Sequence, residues 1–112
     1  MLGFQRLDVY RCAIAFLTRS GPLAARAPRG HGELADQLRR AALSIPLNIA
    51  EGSGKVDRDA HRYYRTARAS ALECAAVLDA FEALGAAAEG ELRQEREWLE
   101  RIVAMLTKMM PR

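Results

Sequence analysis

Apolar residues recur at spacings of three and four over most of the 112-residue chain, which predicts long amphipathic helices. The first helix begins near residues 4–5, and its apolar face is formed by Leu7, Tyr10, Ile14 and Leu17. Gly21-Pro22 interrupts it, because a proline removes one backbone hydrogen bond and clashes with the preceding turn. The helix either stops near Ser20 or kinks and continues to about Arg26. The helix-forming residues after the proline favour the kink.

The second helix is predicted from about Gly32 to Glu51. Its apolar face is formed by Leu34, Leu38, Ala41, Ala42, Ile45 and Ile49. Pro46 lies inside this helix and should bend it, because the carbonyl of Ala42 loses its usual hydrogen-bond partner. The helix is expected to end at Gly52-Ser-Gly54.

The third helix is predicted from Asp57, a residue suited to the N-cap position, to about Leu84. Its core-facing residues are Ala67, Ala71, Cys74, Leu78 and Phe81. The fourth helix runs from about Glu91 to Met110, with an apolar face of Leu92, Leu99, Ile102, Leu106 and Met109. Short connections between long helices imply an all-α fold, an antiparallel up-down-up-down four-helix bundle with a kinked second helix. A chain of this length is expected to form one domain, residues 1–112.

Two apolar residues of the first helix, Val9 and Phe16, lie off its main apolar face. They would need a second surface on which to be buried, and an interface between copies of the chain would supply one. The sequence therefore predicts a homo-oligomer.

The formal net charge is +3, and the basic residues are almost all arginine. Residues 1–30 hold five arginines against one aspartate, which leaves a net charge of +4 in that segment. Arginine favours bidentate contacts with phosphate or carboxylate groups. The same bias fits a genome rich in G and C, and the sequence leaves both explanations open.

Signals for catalysis or metal binding are weak. Cys12 and Cys74 lack metal-site or redox spacing, and their apolar surroundings favour buried free thiols in a reducing cytoplasm. His31 and His61 have no second ligand at metal-binding spacing. The apolar run 12–17 is too short to cross a membrane. We therefore expect a cytoplasmic protein that is not an enzyme and that has no metal, cofactor or membrane partner.

Polar residues on the second helix step by four, four and three, so they share one face. They are Arg40, Ser44, Asn48 and Glu51. We interpret them as a structural polar seam with residues of the third helix, namely Arg68, Ser70 and Glu73. Buried polar groups must be hydrogen-bonded to one another, which fits this interpretation. A ligand site on the same face is the alternative.

Arginines on the third helix fall within one wide face and could bind phosphates. They are Arg58, Arg62, Arg65 and Arg68, with His61 between them. The alternative is a solvated helix surface, partly neutralised by Asp57 and Asp59. The candidate nucleic-acid contacts over the whole chain are Arg6, Arg11, Arg39, Lys55, Arg58, Arg62 and Arg65.

The second-helix motif combines Gln37-x-x-Arg40-Ala-Ala with Ser44-Ile-x-x-Asn48-Ile-Ala-Glu51-Gly52. Through this motif the chain resembles a bacterial family of four-helix-bundle proteins, and the resemblance covers nearly the whole chain from Phe4 onward. That family includes proteins encoded within intervening sequences of large-subunit ribosomal RNA genes. It also includes the accessory variability protein of diversity-generating retroelements.

The resemblance implies an up-down four-helix bundle that assembles as a homopentamer with a basic surface. It implies nucleic-acid binding, with RNA favoured over DNA, or docking to a reverse transcriptase, and it implies no enzymatic activity. The chain departs from the family pattern at Ala69, where glycine is usual, and at Gly21-Pro22. The change to alanine is expected to loosen the approach of the second and third helices.

Overall fold

Four α-helices follow one another along the chain in a computed structural model that describes residues 1–111. A short 3-10 turn, Gly3–Arg6, precedes them. The helices are α1 (Asp8–Ala24), α2 (Gly32–Ser53), α3 (Asp57–Ala83) and α4 (Arg93–Lys108). Residues 1–111 contain no β-strand, so the predicted all-α fold is confirmed.

Each helix packs against two others: α1 against α2 and α4, and α3 against α2 and α4. Contacts between side chains show how neighbours run. Arg68 in the first half of α3 bonds Thr107 near the end of α4, whereas Asp79 near the end of α3 bonds Arg96 near the start of α4. Helices α3 and α4 are therefore antiparallel.

Helices α2 and α3 are antiparallel too, because Gly52 meets Tyr64 and the earlier Ser44 meets the later Ser70. The same holds for α1 and α4, where Cys12 meets Trp98 and the later Arg19 meets the earlier Glu95. The predicted four-helix bundle is confirmed.

Helix α1 continues through Pro22 to Ala24, so the prediction that it runs past the proline is confirmed, and the kink itself stays a prediction. Its predicted apolar face is shifted, however. Val9 and Phe16 are 2% and 0% exposed, whereas Ile14 is 36% exposed. The prediction that Val9 and Phe16 need a second burial surface is wrong, because both lie in the core of the bundle. Small Cys12 and Ala13 share this buried face.

The predicted core faces of the other helices are largely confirmed. In α2 all the predicted residues except half-buried Leu34 are buried, and the helix continues through Pro46. The five core residues predicted for α3 have no exposed surface. In α4 all the predicted residues except half-buried Met109 are buried. The bend at Pro46 stays a prediction.

Helix α3 begins at Asp57, but the N-cap position is Val56, and no side chain caps the helix there. The N-cap prediction for Asp57 is therefore wrong. Asp57 has a φ of 49°, in the left-handed region that aspartate tolerates better than most residues. None of the helices within residues 1–111 is long and apolar enough to cross a membrane.

Candidate nucleic-acid interface

Charge is divided between two regions of the bundle. Residues 55–68, at the turn from α2 into α3, hold five basic and two acidic residues, a net charge of +3. Residues 73–100, at the turn from α3 into α4, hold eight acidic and two basic residues, a net charge of −6. Antiparallel packing places these two turns at opposite ends of α3. We call residues 55–68 the basic end and residues 73–100 the acidic end.

A glycine sets the geometry of the basic end. Gly52 is buried, and a Cβ atom at this position would lie 2.7 Å from Cε1 of Tyr64 and 3.1 Å from Cβ of Tyr63. Only glycine therefore lets the end of α2 lie this close to the start of α3. Burial raises the pKa of the Tyr64 hydroxyl.

Exposed cations surround Tyr63 at this end. The Arg62 guanidinium lies 5.1 Å and the Lys55 ammonium 6.0 Å from the centre of the Tyr63 ring. Cation–π contacts at such exposed sites contribute about 0.5–1 kcal/mol each. They hold the two cations on one side of the α2–α3 turn.

The arginines of the basic end have few acidic partners. Arg58, Arg62 and Arg65 are exposed, and they form no salt bridge within residues 1–111. Lys55 pairs with Glu51 at 3.4 Å, with both side chains about half exposed. The spacing of the three arginines places them on one face of α3. This face can bind a polyanion without first breaking an internal ion pair.

The other predicted contacts belong to other elements of the bundle. Arg39 is near the middle of α2 and pairs with Asp36 at 3.8 Å. Arg6 is in the 3-10 turn, which packs on α1 and α2, and the Nε of Arg11 donates a 3.4 Å hydrogen bond to the Gln5 carbonyl. Four of the seven predicted residues therefore lie within residues 55–68, and Arg6 and Arg11 come from the 3-10 turn and the start of α1, which antiparallel packing places at the same end of the bundle.

The polar seam between α2 and α3 contains fewer hydrogen-bonded residues than predicted. Ser70 donates a 2.8 Å hydrogen bond to the Ser44 hydroxyl, which joins α3 to α2. Asn48 donates to the same hydroxyl at 3.0 Å and to the Ser44 carbonyl at 2.9 Å. These three residues satisfy one another at the partly buried contact between the helices.

The remaining seam candidates take no part in these hydrogen bonds. Arg40 and Glu73 are exposed and line the same α2/α3 groove as Ser44, Asn48 and Ser70. Glu51 pairs with Lys55, and Arg68 donates a 3.1 Å hydrogen bond to Thr107 on α4.

At the acidic end Arg19, Arg26 and Arg96 bind carboxylates of other elements, whereas Arg93 is exposed and forms no salt bridge within residues 1–111. Arg96 on α4 pairs with Asp79 at 2.6 Å and with Glu82 at 3.0 Å, both on α3, and these bonds raise its pKa. Arg19 on α1 pairs at 3.2 Å with Glu95, whose side chain is only 6% exposed. Sequence spacing gives no signal for the pair between α1 and α4, because its members lie far apart along the chain.

A second pair links the turn after α1 to the turn before α4. Arg26 bonds both carboxylate oxygens of Glu91 and donates a 2.6 Å hydrogen bond to the Ala86 carbonyl. The bond from Arg26, with help from the Ala88 amide, lowers the pKa of Glu91 to about 2. Arg26 is therefore committed to an internal contact.

The cysteines are unsuited to nucleophilic chemistry. Burial raises the pKa of the Cys74 thiol to about 12, and it also raises that of Cys12. Both stay protonated near neutral pH. Within residues 1–111 no three His, Cys, Asp or Glu side chains are grouped in a way that could hold a metal ion.

Fold and charge together define a four-helix-bundle protein with one basic and one acidic end. A model of the 23S rRNA-intervening sequence protein family matches residues 5–108, so this chain belongs to that family. The resemblance carried by the second-helix motif is confirmed. A search of curated proteins finds no match.

Proposed function

We propose that this chain is a non-enzymatic, basic homo-oligomer, pentameric by the family resemblance, that binds nucleic acid through phosphate contacts at its basic end. The observation that carries the proposal is the difference between the arginines of the two ends. Arg58, Arg62 and Arg65 are exposed and have no acidic partner within residues 1–111, whereas Arg26 and Arg96 are held in ion pairs. RNA is the favoured ligand because the family description refers to 23S rRNA.

Recognition would depend on the backbone of the nucleic acid more than on its bases. Phosphate contacts position a protein without reading sequence, and the basic end has no groove-reading motif. Several copies in one assembly would multiply the positive field, which attracts polyanions and is screened by salt. We therefore expect weak sequence preference and steep salt dependence.

The cellular setting follows from the same features. Two buried free cysteines are typical of a reducing compartment, which supports a cytoplasmic location. We take residues 1–112 to act as one unit, because all four helices share one core.

The test is the affinity for RNA and for DNA, measured against salt concentration, with wild type and with Arg62→Ala/Arg65→Ala. Each phosphate interaction that the substitutions remove should flatten the slope of log affinity against log salt by roughly 0.7–0.9. Helicity and assembly of the variant are checked first. An unchanged affinity and slope would remove the basic end from the binding surface.

The second candidate is a structural or protein-docking oligomer, for example an accessory subunit of a reverse transcriptase. The acidic end favours it, because a net charge of −6 over residues 73–100 would attract a basic protein. If wild type binds neither RNA nor DNA at low salt, this candidate replaces nucleic-acid binding.

A further inference from the structure

Large apolar side chains are exposed on the outer faces of α2 and α3. Leu43 and Leu47 lie one turn apart on α2, and they are 47% and 58% exposed. Leu72 on α3 is 55% exposed. Grouped exposed apolar residues of this kind mark surfaces that bind a partner. We call Leu43 and Leu47 the ridge.

A recess for apolar side chains lies on the neighbouring face of the bundle. It is the groove between α3 and α4, with a volume of about 340 Å³. Leu72 and Ala75 of α3 line it together with Val103 and Ala104 of α4. The two alanines leave room between the helices, so the groove can accept side chains from outside.

The ridge and the groove lie at similar heights along the bundle. Ser44, next to Leu43, is hydrogen-bonded to Ser70, which is two residues before Leu72. Leu72 and Ala104 line the same groove. A rotation about an axis parallel to the bundle leaves heights unchanged. Leu43 of one copy would therefore meet the groove of the next copy without any shift along the axis.

Charges beside the two surfaces are complementary in one orientation only. Arg40 lies one turn before Leu43 on α2, and Glu100 lies one turn before Ala104 on α4. Both are exposed, and neither forms a salt bridge within residues 1–111. Because α2 and α4 run in the same direction, parallel copies would place Arg40 beside Glu100. Antiparallel copies would instead place it towards Lys108, which repels it.

We infer that the α3/α4 groove is filled by a second copy of this chain, which inserts its Leu43–Leu47 ridge head-to-tail in parallel orientation. The contact is heterologous, because ridge and groove are different surfaces. They lie on neighbouring faces of the bundle, so each contact rotates the next copy in the same direction, and a rotation that closes gives a ring rather than a filament. All basic ends then lie on one side of that ring. This inference rests on the self-association proposed above.

The interface is tested with pairs of aspartate substitutions at exposed positions. The ridge variant is Leu43→Asp/Leu47→Asp, and the groove variant is Leu72→Asp/Ala104→Asp. A control, Val56→Asp/Leu84→Asp, alters exposed apolar residues outside both surfaces. Analytical ultracentrifugation should show monomers for the ridge and groove variants and the wild-type oligomer for the control. Circular dichroism checks that each variant keeps its helices.

Mixing the two monomeric variants gives the sharper result. The ridge variant keeps an intact groove and the groove variant keeps an intact ridge, so the mixture should form a one-to-one dimer and nothing larger. A mixture that stays monomeric would overturn the head-to-tail contact.

The charge pair is tested separately. Arg40→Glu or Glu100→Arg alone should weaken assembly by roughly fivefold, and the two together should restore it. Weaker assembly that the double variant fails to restore would contradict the parallel orientation.

These experiments distinguish a wrongly assigned interface from the absence of self-association. Ridge and groove variants that remain oligomeric would show that the interface is wrong while self-association stands. A monomeric wild type would overturn self-association and this inference together, and the salt-dependent binding of RNA would still be decided by its own experiment.

Discussion

The two ends of the bundle differ in how most of their arginines are used, with Arg93 the exception at the acidic end. At the acidic end Arg96 and Arg26 bind carboxylates of neighbouring elements and take part in holding the fold together. At the basic end Arg58, Arg62 and Arg65 stay exposed. The same residue type is therefore structural in one region and available for a ligand in the other, and composition alone does not distinguish the two uses.

The difference follows from how each end is held together. The basic end is joined by close packing at Gly52, and the hydrogen bonds of Ser44, Asn48 and Ser70 join α2 to α3 near the middle of α3. These contacts need no charge. Because no ion pair joins the two helices there, Arg58, Arg62 and Arg65 are not needed to hold the fold together.

The largest expected effect is at the close contact that shapes the basic end. Gly52→Ala should destabilise the fold by about 1–3 kcal/mol, because its Cβ would collide with the buried Tyr64 ring. Urea unfolding measures the change in stability. Gly54→Ala is the matched control, since the nearest atom to its Cβ would be 3.7 Å away. Equal stability of the two variants would show that the contact does not constrain the turn.

Substitutions in the polar seam should reduce stability less than Gly52→Ala does. The loss should also differ between the predicted seam residues Asn48 and Glu51. Asn48→Ala removes two hydrogen bonds at a partly buried contact and should cost about 1 kcal/mol. Glu51→Ala removes only an exposed pair and should change stability by less than about 0.5 kcal/mol. Thermal unfolding compares the two. An Asn48→Ala variant of unchanged stability that no longer binds ligand would make this face a binding site.

The stability of the fold should depend on pH, because the ion pairs of the acidic end require ionised carboxylates. The pKa of Glu91 is lowered in the fold to about 2 from its ordinary value of 4.5, so its pair with Arg26 stabilises the fold above about pH 4.5. That contribution disappears as the pH falls from 4.5 through 2. Glu91→Gln should therefore lower Tm slightly at pH 7 and not at pH 2. An equal difference at both pH values would contradict the ion-pair account.

The sequence predicts the faces of α2, α3 and α4 well because their large apolar residues point into a single core. The prediction of the buried face is wrong for α1. Its buried face includes the small residues Cys12 and Ala13, whereas the large apolar residue Ile14, which the spacing assigns to that face, is exposed. The sequence-based prediction of a homo-oligomer rests on Val9 and Phe16, which are in fact buried within one chain.

Site residues are harder to predict, because spacing along one helix does not show what lies across from it. Glu51 shares a helix face with Asn48, yet it lies beyond the contact with Ser70 and pairs with Lys55 instead. Ala69, expected to loosen the approach of α2 and α3, is exposed, whereas the two helices are in close contact at Gly52. The role of each of these residues depends on which side chains lie opposite it in the folded structure.

The most direct test of the difference between the two ends is protection of arginines in the wild-type protein. Phenylglyoxal modifies exposed guanidinium groups, and mass spectrometry measures the extent at each position with and without RNA. We predict that RNA protects Arg58, Arg62 and Arg65 and leaves Arg29 and Arg93, which are exposed outside the basic end, unprotected. Equal protection at all five positions, or protection at Arg29 and Arg93 alone, would contradict the account.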